Sequence, residues 1–77
     1  MKVKIAKINT IDSYDNISRI IIPATSGTIE ICPDHAELFC ILSKGGILLS
    51  SESDKLVSLA VEEGTAYFKD DILTVVI

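Results

Sequence analysis

The feature that most constrains the fold is a regular succession of short, β-branched apolar runs, each followed by turn-forming residues. The runs recur at the spacing of roughly 8–12 residues that is typical of β-sandwiches and barrels. No stretch of about twelve residues carries a helical stripe of apolar side chains. With 77 residues, the chain has room for one small domain. We therefore predict an all-β fold, a small two-sheet antiparallel β-sandwich over residues 1–77.

Strands are predicted for the apolar runs, and the residues between them end or turn the chain. Pro23 cannot donate a ladder hydrogen bond, and Gly27 can adopt a positive φ. Asp70-Asp71 fits a two-residue hairpin, whereas residues 10–16, TIDSYDN, are interpreted as a polar turn. The run AELFCILS also fits helical spacing, but its short length favours a strand. The predicted strands are KVKIAKI, ISRIIIP, TIEIC, AELFCILS, GILLSS, KLVSLAV, TAYFK and ILTVVI.

Two of these strands are apolar on both faces. ILTVVI has Thr74 as its one polar residue, and RIII has no polar residue after the arginine. In a two-layer sandwich one face of each strand looks inward, so the other face of these strands needs cover. The composition agrees, with 48% hydrophobic residues and a mean hydropathy of +0.44. We expect part of this apolar surface to meet a partner.

Charge and hydropathy argue against several classes of protein. The net charge is −4 and the seven Lys and Arg residues are scattered singly, which disfavours a nucleic-acid partner. The longest apolar runs are far shorter than the roughly 20 residues that span a bilayer, and the N-terminus lacks the apolar core of a signal peptide. Two cysteines without an export signal indicate reduced thiols and no disulfide partner.

Cys32, His35 and Cys40 are the residues of this chain that could form a metal site or a catalytic nucleophile pair. A structural zinc site uses four tetrahedral ligands, and Asp34 or Glu37 would be poorly oriented as the fourth. A Cys-His nucleophile pair needs an orienting third group and an oxyanion hole, for which a thin sandwich has little room. We interpret both thiols as buried and unreactive, with Cys32 as a core side chain. No metal ligand and no catalytic cysteine is predicted.

The remaining polar features are read as turns. The acidic pairs Glu62-Glu63 and Asp70-Asp71 lie in predicted turns, and neighbouring strand residues point to opposite faces, so neither pair resembles an acid/base pair. No glycine-rich phosphate loop is present. We therefore predict no catalytic residue and no cofactor. His35 is either a turn histidine bonded to backbone or a contact residue on an exposed loop, and the residues alone leave both readings open.

The stretch IIIPATSGTIEICPDHAEL, residues 20–38, resembles the signature of the epsilon subunit of F-type ATP synthases, which is the delta subunit in mitochondria. Members of that family carry a strand, a Leu-Pro-Gly-like turn, a Gly-Glu-hydrophobic-Gly-hydrophobic run and then Pro-Gly-His-Ala-Pro-Leu. The similarity continues through GGILLS and LAVEEGTAYFKDDILTVV, and so covers nearly the whole chain. The matching residues are Pro23, Gly27, Ile29, Ile31, Pro33, His35, Ala36 and Leu38.

The chain departs from the family pattern at several positions. Asp34 stands in place of glycine and Glu37 in place of proline within the Pro-Gly-His-Ala-Pro motif. Thr28 stands where the family usually has Glu, and Glu30 where it usually has Gly. Thr28 thus lacks a charge that the position usually brings, and Asp34 is a candidate to supply a negative charge nearby.

The resemblance implies a β-sandwich that acts as a non-catalytic central-stalk subunit. Such a subunit links gamma to the membrane c-ring and couples ion flow to ATP synthesis, at the cytoplasmic face of the membrane and attached to it only through the complex. The family's C-terminal helical hairpin is absent from residues 1–77, which end at Ile77, about where the sandwich should end. Either the subunit is naturally short, and is then expected to lack inhibition by the hairpin, or the sequence is a trimmed form of a longer subunit. The alternative is a free-standing β-sandwich that binds a ligand or another protein.

The resemblance also implies two contact surfaces. Polar loop residues are expected to face the c-ring, and an apolar surface is expected to face gamma. The expected c-ring-facing residues are Thr28, Glu30, Asp34 and His35. The expected gamma-facing residues are Leu73, Val75 and Ile77.

Overall fold

A computed structural model describes all 77 residues, which form nine strands and no helix. No helix of the chain has the length and hydropathy to cross a membrane. The strands, numbered in chain order, are β1 Lys2–Ala6, β2 Ile11–Tyr14, β3 Ile17–Ala24, β4 Gly27–Ile31, β5 Leu38–Leu42, β6 Gly45–Ser51, β7 Leu56–Val61, β8 Gly64–Lys69 and β9 Ile72–Val76.

The strands form one curled sheet whose two halves enclose a common core. The five-stranded half has the order β2-β1-β9-β8-β5, and the four-stranded half has the order β4-β3-β6-β7. The two halves join where Ala24 of β3 pairs with Leu42 of β5. The predicted all-β sandwich is confirmed. It is not wholly antiparallel, because β1 and β9 pair in parallel.

Along the strands, successive side chains alternate between the hydrophobic core and the solvent. Of the 77 residues, 15 are buried, and all 15 are hydrophobic. In β1, Val3 and Ile5 point inward while the lysines between and beside them point outward, as a strand with one solvated face should. Phe68 of β8 is the largest fully buried side chain. Because every buried residue is apolar, the core needs no internal hydrogen bonds between side chains.

One predicted turn is a strand. Residues Ile11–Tyr14 form β2, which pairs antiparallel with β1 from Val3 opposite Tyr14 to Ala6 opposite Ile11. The interpretation of residues 10–16 as a turn was wrong because β2 is an edge strand with a polar sequence. Backbone hydrogen bonds to one neighbour hold it, and they leave little trace in the side-chain pattern.

Three turn and strand predictions are confirmed. Asp70 and Asp71 both have positive φ, 52° and 61°, as a two-residue type I′ hairpin between β8 and β9 requires. Gly27 has a φ of 126° at the start of β4. Residues Leu38–Leu42 form β5, so the run that also fitted helical spacing is a strand.

At Gly64 the chain of β8 lies so close to the end of β9 that there is no room for a side chain. A Cβ atom at Gly64 would collide with the carbonyl oxygen of Val76 and lie 2.6 Å from Cγ2 of Ile77. We expect Gly64→Ala to lower the free energy of unfolding by about 1–3 kcal/mol, the usual cost of overpacking. Gly46→Ala is the matched control, since its Cβ would meet nothing closer than 3.8 Å. Equal midpoints of urea unfolding for the two variants would contradict this packing.

Candidate functional site

The loop between β4 and β5 holds Asp34 and His35 at one end of the sandwich. The backbone N–H of His35 donates to the carbonyl oxygen of Cys32 at 3.1 Å, which closes a turn. Asp34 adopts a left-handed conformation with a φ of 67°. Glycine is favoured there, and aspartate is among the residues that tolerate the conformation best. The substitution of Asp for the family's Gly is therefore compatible with the shape of the loop.

This loop is tied to the hairpin that joins β8 and β9. The backbone N–H of Asp34 donates to Oδ1 of Asp71 at 2.8 Å. The bond connects positions 37 residues apart in the chain, and both of the residues it joins have positive φ. The two turns therefore form one surface, which we call the loop platform and define by Asp34, His35, Asp70 and Asp71.

His35 sits on the platform with its ring against the core. The ring meets Phe68 edge-on, with centroids 6.0 Å apart and planes at 86°. Nδ1 lies 2.8 Å from the carbonyl oxygen of Ala36. A carbonyl oxygen only accepts hydrogen bonds, so this contact places the proton on Nδ1 and leaves Nε2 available to a partner. His35 thus makes the backbone contact of a turn residue and is also exposed.

Beside the platform is an open recess of about 420 Å³ with a wholly polar lining. Four carboxylates line it, together with one lysine and one histidine. The lining residues are Asp34, His35, Glu37, Lys69, Asp70 and Asp71. No group of three His, Cys, Asp or Glu side chains in the chain is arranged to hold a metal ion. The recess gives this end of the molecule a negative surface.

The other two expected c-ring-facing residues lie elsewhere. Glu30 forms a two-point ion pair with Arg19 of β3, with Oε2 2.9 Å from Nε and Oε1 3.3 Å from Nη2. Thr28 lies near the opposite end of β4, paired with Pro23. The structure therefore brings Asp34 and His35 together and does not bring Thr28 or Glu30 to them.

The two cysteines differ in exposure. Cys32 is exposed, with Sγ 3.7 Å from Oε2 of Glu30, so its interpretation as a core side chain was wrong. It directly follows Ile31, the buried last residue of β4, and therefore points to the opposite, solvent side. Cys40 is half-buried on β5, and this partial burial raises the pKa of its thiol. Both thiols are free.

The expected gamma-facing set needs correction. Leu73 and Val75 are fully buried and belong to the core, so neither can meet a partner. Ile77 is partly buried and packs against the same core. The physical reason is the strand's period of two. Once Leu73 and Val75 point inward, their neighbours Ile72 and Val76 must point outward.

The exposed apolar residues of the five-stranded half lie on its outside. Cross-strand register places Phe39 beside Tyr67, and it places Ile41, Val76 and Ile11 in the next row. Their exposed fractions are 64%, 39%, 57%, 52% and 71% respectively. We call these five residues the outer face. The sequence analysis did not identify these residues as a surface. Knowing that one residue such as Phe68 is buried would have been enough, since strand alternation then assigns the outward positions.

Tyr67 links the outer face to the loop end. Its hydroxyl donates to Oε2 of Glu37 at 3.1 Å. This hydrogen bond raises the pKa of Tyr67, with smaller contributions from partial burial and from the charges of Glu37 and Asp70 against an opposing one from Lys69. The neutral phenol is therefore favoured and its polar end is already paired. The ring remains available for apolar contact.

A family model described as "ATP synthase, Delta/Epsilon chain, beta-sandwich domain" matches residues 1–77. The chain belongs to this family of ATP synthase subunits. A comparison with curated proteins gave no match.

Two solved structures share the fold. One is a chain in the cryo-EM structure of the Euglena gracilis mitochondrial ATP synthase, OSCP/F1/c-ring in rotational state 1, with a TM-score of 0.84, 14% identity and 96% of this chain covered. The other is in the Tetrahymena thermophila mitochondrial ATP synthase central stalk/c-ring, with a TM-score of 0.78, 15% identity and 99% covered. The chain spans 48% and 61% of the length of those chains.

The orientation of β9 can be tested by paired truncations. Leu73→Ala should lower the free energy of unfolding by about 2–5 kcal/mol, because it leaves a cavity in the core. Val76→Ala should change it by less than about 1 kcal/mol, since the side chain is half exposed. Chemical denaturation of both variants measures the difference. Similar losses in the two would show that the strand does not have one inward and one outward face.

Proposed function

We propose that the chain is a non-catalytic subunit of the central stalk of an ATP synthase, joining the gamma subunit to the c-ring. The observation that carries the proposal is the family match over the whole of residues 1–77. The fold supports it, since both solved neighbours are parts of ATP synthases and one is described as central stalk and c-ring. In this role the chain transmits force through its surfaces and holds no reacting group.

The loop platform is the proposed contact with the polar loops of the c-ring. Asp34, His35 and Asp70 are exposed and Asp71 is half-buried. The platform carries three carboxylates, and none of them takes part in an ion pair within the chain. The Asp34–Asp71 hydrogen bond holds the two turns in one arrangement, which limits the entropy lost on binding. Asp34 lies beyond the opposite end of β4 from Thr28, so its charge acts at the loop platform and does not restore a charge at Thr28. Glu30 contributes less, because Arg19 already pairs with it.

We place the proposed gamma contact on the outer face, because Leu73 and Val75, which were expected to face gamma, are buried. Five large apolar or aromatic side chains are exposed there on four of the five strands of this half. Exposed apolar patches of this kind mark interaction sites, and burying them on a partner removes the unfavourable contact with water. The two proposed contacts leave the chain at the cytoplasmic face of the membrane, held there by the other subunits.

The test is to replace the native gene with a tagged copy and to purify the chain from detergent-solubilised membranes. We expect the catalytic alpha and beta subunits and gamma to co-purify.

In the same strain, Asp34→Lys should lower ATP synthesis driven by an ion gradient several-fold, since it puts a positive charge at the proposed c-ring contact.

Asp54→Lys is the matched control for that substitution. Asp54 is also exposed and also has a positive φ, 62°, but it lies in the turn between β6 and β7. The two variants therefore share the same change of charge and the same backbone strain.

A chain that purifies as a monomer without ATP synthase subunits would contradict the proposed function and favour a free-standing binding module. Equal synthesis rates for the two variants would contradict the loop platform as the c-ring contact.

A further inference from the structure

We propose that the free edge of β7 pairs with β7 of a second copy of the chain, so that the unassembled chain forms a two-fold dimer. This inference does not rest on the proposed function, which concerns the loop platform and the outer face. Four strands end the two halves of the sheet. Of these, β5 is joined to β3, whereas β2, β4 and β7 each leave one side unpaired.

β7 lacks the protective features of the other two edge strands. A free edge exposes unpaired backbone groups, and natural proteins guard it with charges, prolines, bulges or short length. β2 has four residues, and its Asp12 pairs with the buried Ile5, which puts a charge on the inward side of that edge. β4 carries the charged Glu30. β7, with the sequence LVSLAV, has six residues, no charge, no proline and an unbroken register with β6.

The hydrogen bonds between β6 and β7 show which backbone groups are free. The N–H of Ser51 donates to the carbonyl oxygen of Lys55 at 2.8 Å, and these two residues continue the register of the strand pair. Bonded and non-bonded pairs alternate in an antiparallel ladder, so every second residue from Val57 onward directs its backbone groups to β6. The residues that direct theirs to the free side are Leu56, Ser58 and Ala60.

The core is also incompletely covered at this edge. Val57 and Leu59 pack against the core, yet both are only half-buried. Their partners on β6, Leu49 and Ile47, are fully buried. A strand added to β7 removes more of the two exposed side chains from water, which favours the association.

The charges at the two ends of β7 favour a second copy of the same strand. Lys55 precedes the strand and Glu62 and Glu63 follow it, and none of the three forms an ion pair within the chain. At about 3.3 Å per residue the two ends lie roughly 20 Å apart, so they do not neutralise each other within one copy. Antiparallel pairing brings the lysine of each copy to the glutamates of the other.

A two-fold axis at Ser58 satisfies the strand on both faces. It places Leu56 of one copy opposite Ala60 of the other and Val57 opposite Leu59, so inward residues stay on one side. Both free edges are used, and the association therefore stops at two copies. Side chains stand perpendicular to a sheet, so the outward Leu56 keeps its contact with water. An extended segment of another protein fits less well, because it loses entropy on ordering, whereas β7 is already a strand.

Sedimentation equilibrium of the purified chain tests the pairing. Small interfaces are weak and the net charge of −4 opposes association, so we expect the mass to rise from 8.3 kDa toward twice that value between about 10 µM and 1 mM, in about 0.15 M salt. Ser58→Pro removes the central outward N–H, leaves the ladder with β6 intact and should stay monomeric. Circular dichroism confirms that the variant folds.

Ser13→Pro is the matched control. The N–H of Lys7 donates to the carbonyl oxygen of Thr10, in the register of β1 and β2, so alternation places the N–H of Ser13 on the free side of β2. Both variants therefore replace an exposed edge serine whose N–H has no partner strand. We expect Ser13→Pro to dimerise as the wild type does.

Charge variants test the antiparallel orientation without changing the backbone. Lys55→Glu should weaken dimerisation several-fold. Lys55→Glu/Glu63→Lys, which has the net charge of the wild type, should restore it, because opposite charges meet again across the two-fold axis.

The inference is overturned if the wild type keeps a mass of 8.3 kDa at every concentration. It is also overturned if Ser58→Pro dimerises like the wild type, if Ser13→Pro is equally monomeric, or if the charge swap restores nothing. A wild-type monomer whose β7 amides are protected from hydrogen exchange only in the ATP synthase would assign the edge to a strand of another subunit, and would contradict the dimer while leaving the proposed function in place.

Discussion

Strand alternation around the buried ring of Phe68 is the constraint on which both the core and the outer face depend. Successive side chains of a strand point to opposite faces, so burial of Phe68 sends Tyr67 and Lys69 outward on β8. Pairing between strands then carries this choice to β9 and β5, where Leu73 and Leu38 lie in the row of Phe68. The apolar residues left outside on these strands form the outer face. The core and the contact surface are thus two consequences of one register.

The same constraint explains what the sequence could and could not predict. Polar residues mark the outward positions in β1, so the inward direction of Val3 and Ile5 could be predicted. β9 has apolar residues on both faces, and the choice of Leu73 and Val75 as the surface was wrong because the sequence does not distinguish its two faces. Tertiary pairing with β1 and β8 decides between them.

Other errors have local causes. β2 was missed because a polar edge strand is held by backbone hydrogen bonds rather than by buried side chains. Cys32 was placed in the core because free cysteines are usually buried, but it directly follows the buried Ile31 and so lies on the solvent side. The turns were predictable, since Gly27 and Asp70-Asp71 are residue types that accept positive φ. The tie between Asp34 and Asp71 was not predictable, because it joins residues far apart in the sequence.

Three of the four departures from the family signature have a physical explanation in this arrangement. Asp34 has a left-handed backbone, a conformation that favours glycine, and it adds a carboxylate to the loop platform. Glu37 replaces a proline and accepts the hydroxyl of Tyr67, which joins the loop end to the outer face. Glu30 replaces a glycine and forms an ion pair with Arg19 on the other side of the sandwich. Two of the three changes therefore modify the proposed contact surfaces.

The central claim is that the loop platform and the outer face become buried when the chain joins the ATP synthase, while the outside of the four-stranded half stays in water. Hydroxyl-radical footprinting of the isolated chain and of the purified complex measures this directly. Phe39, Tyr67 and His35 should be strongly labelled in the isolated chain and protected in the complex, whereas Leu56, 74% exposed on β7, should be labelled in both. Equal labelling of Phe39 and Tyr67 in the two samples, or protection of Leu56 alone, would contradict the account.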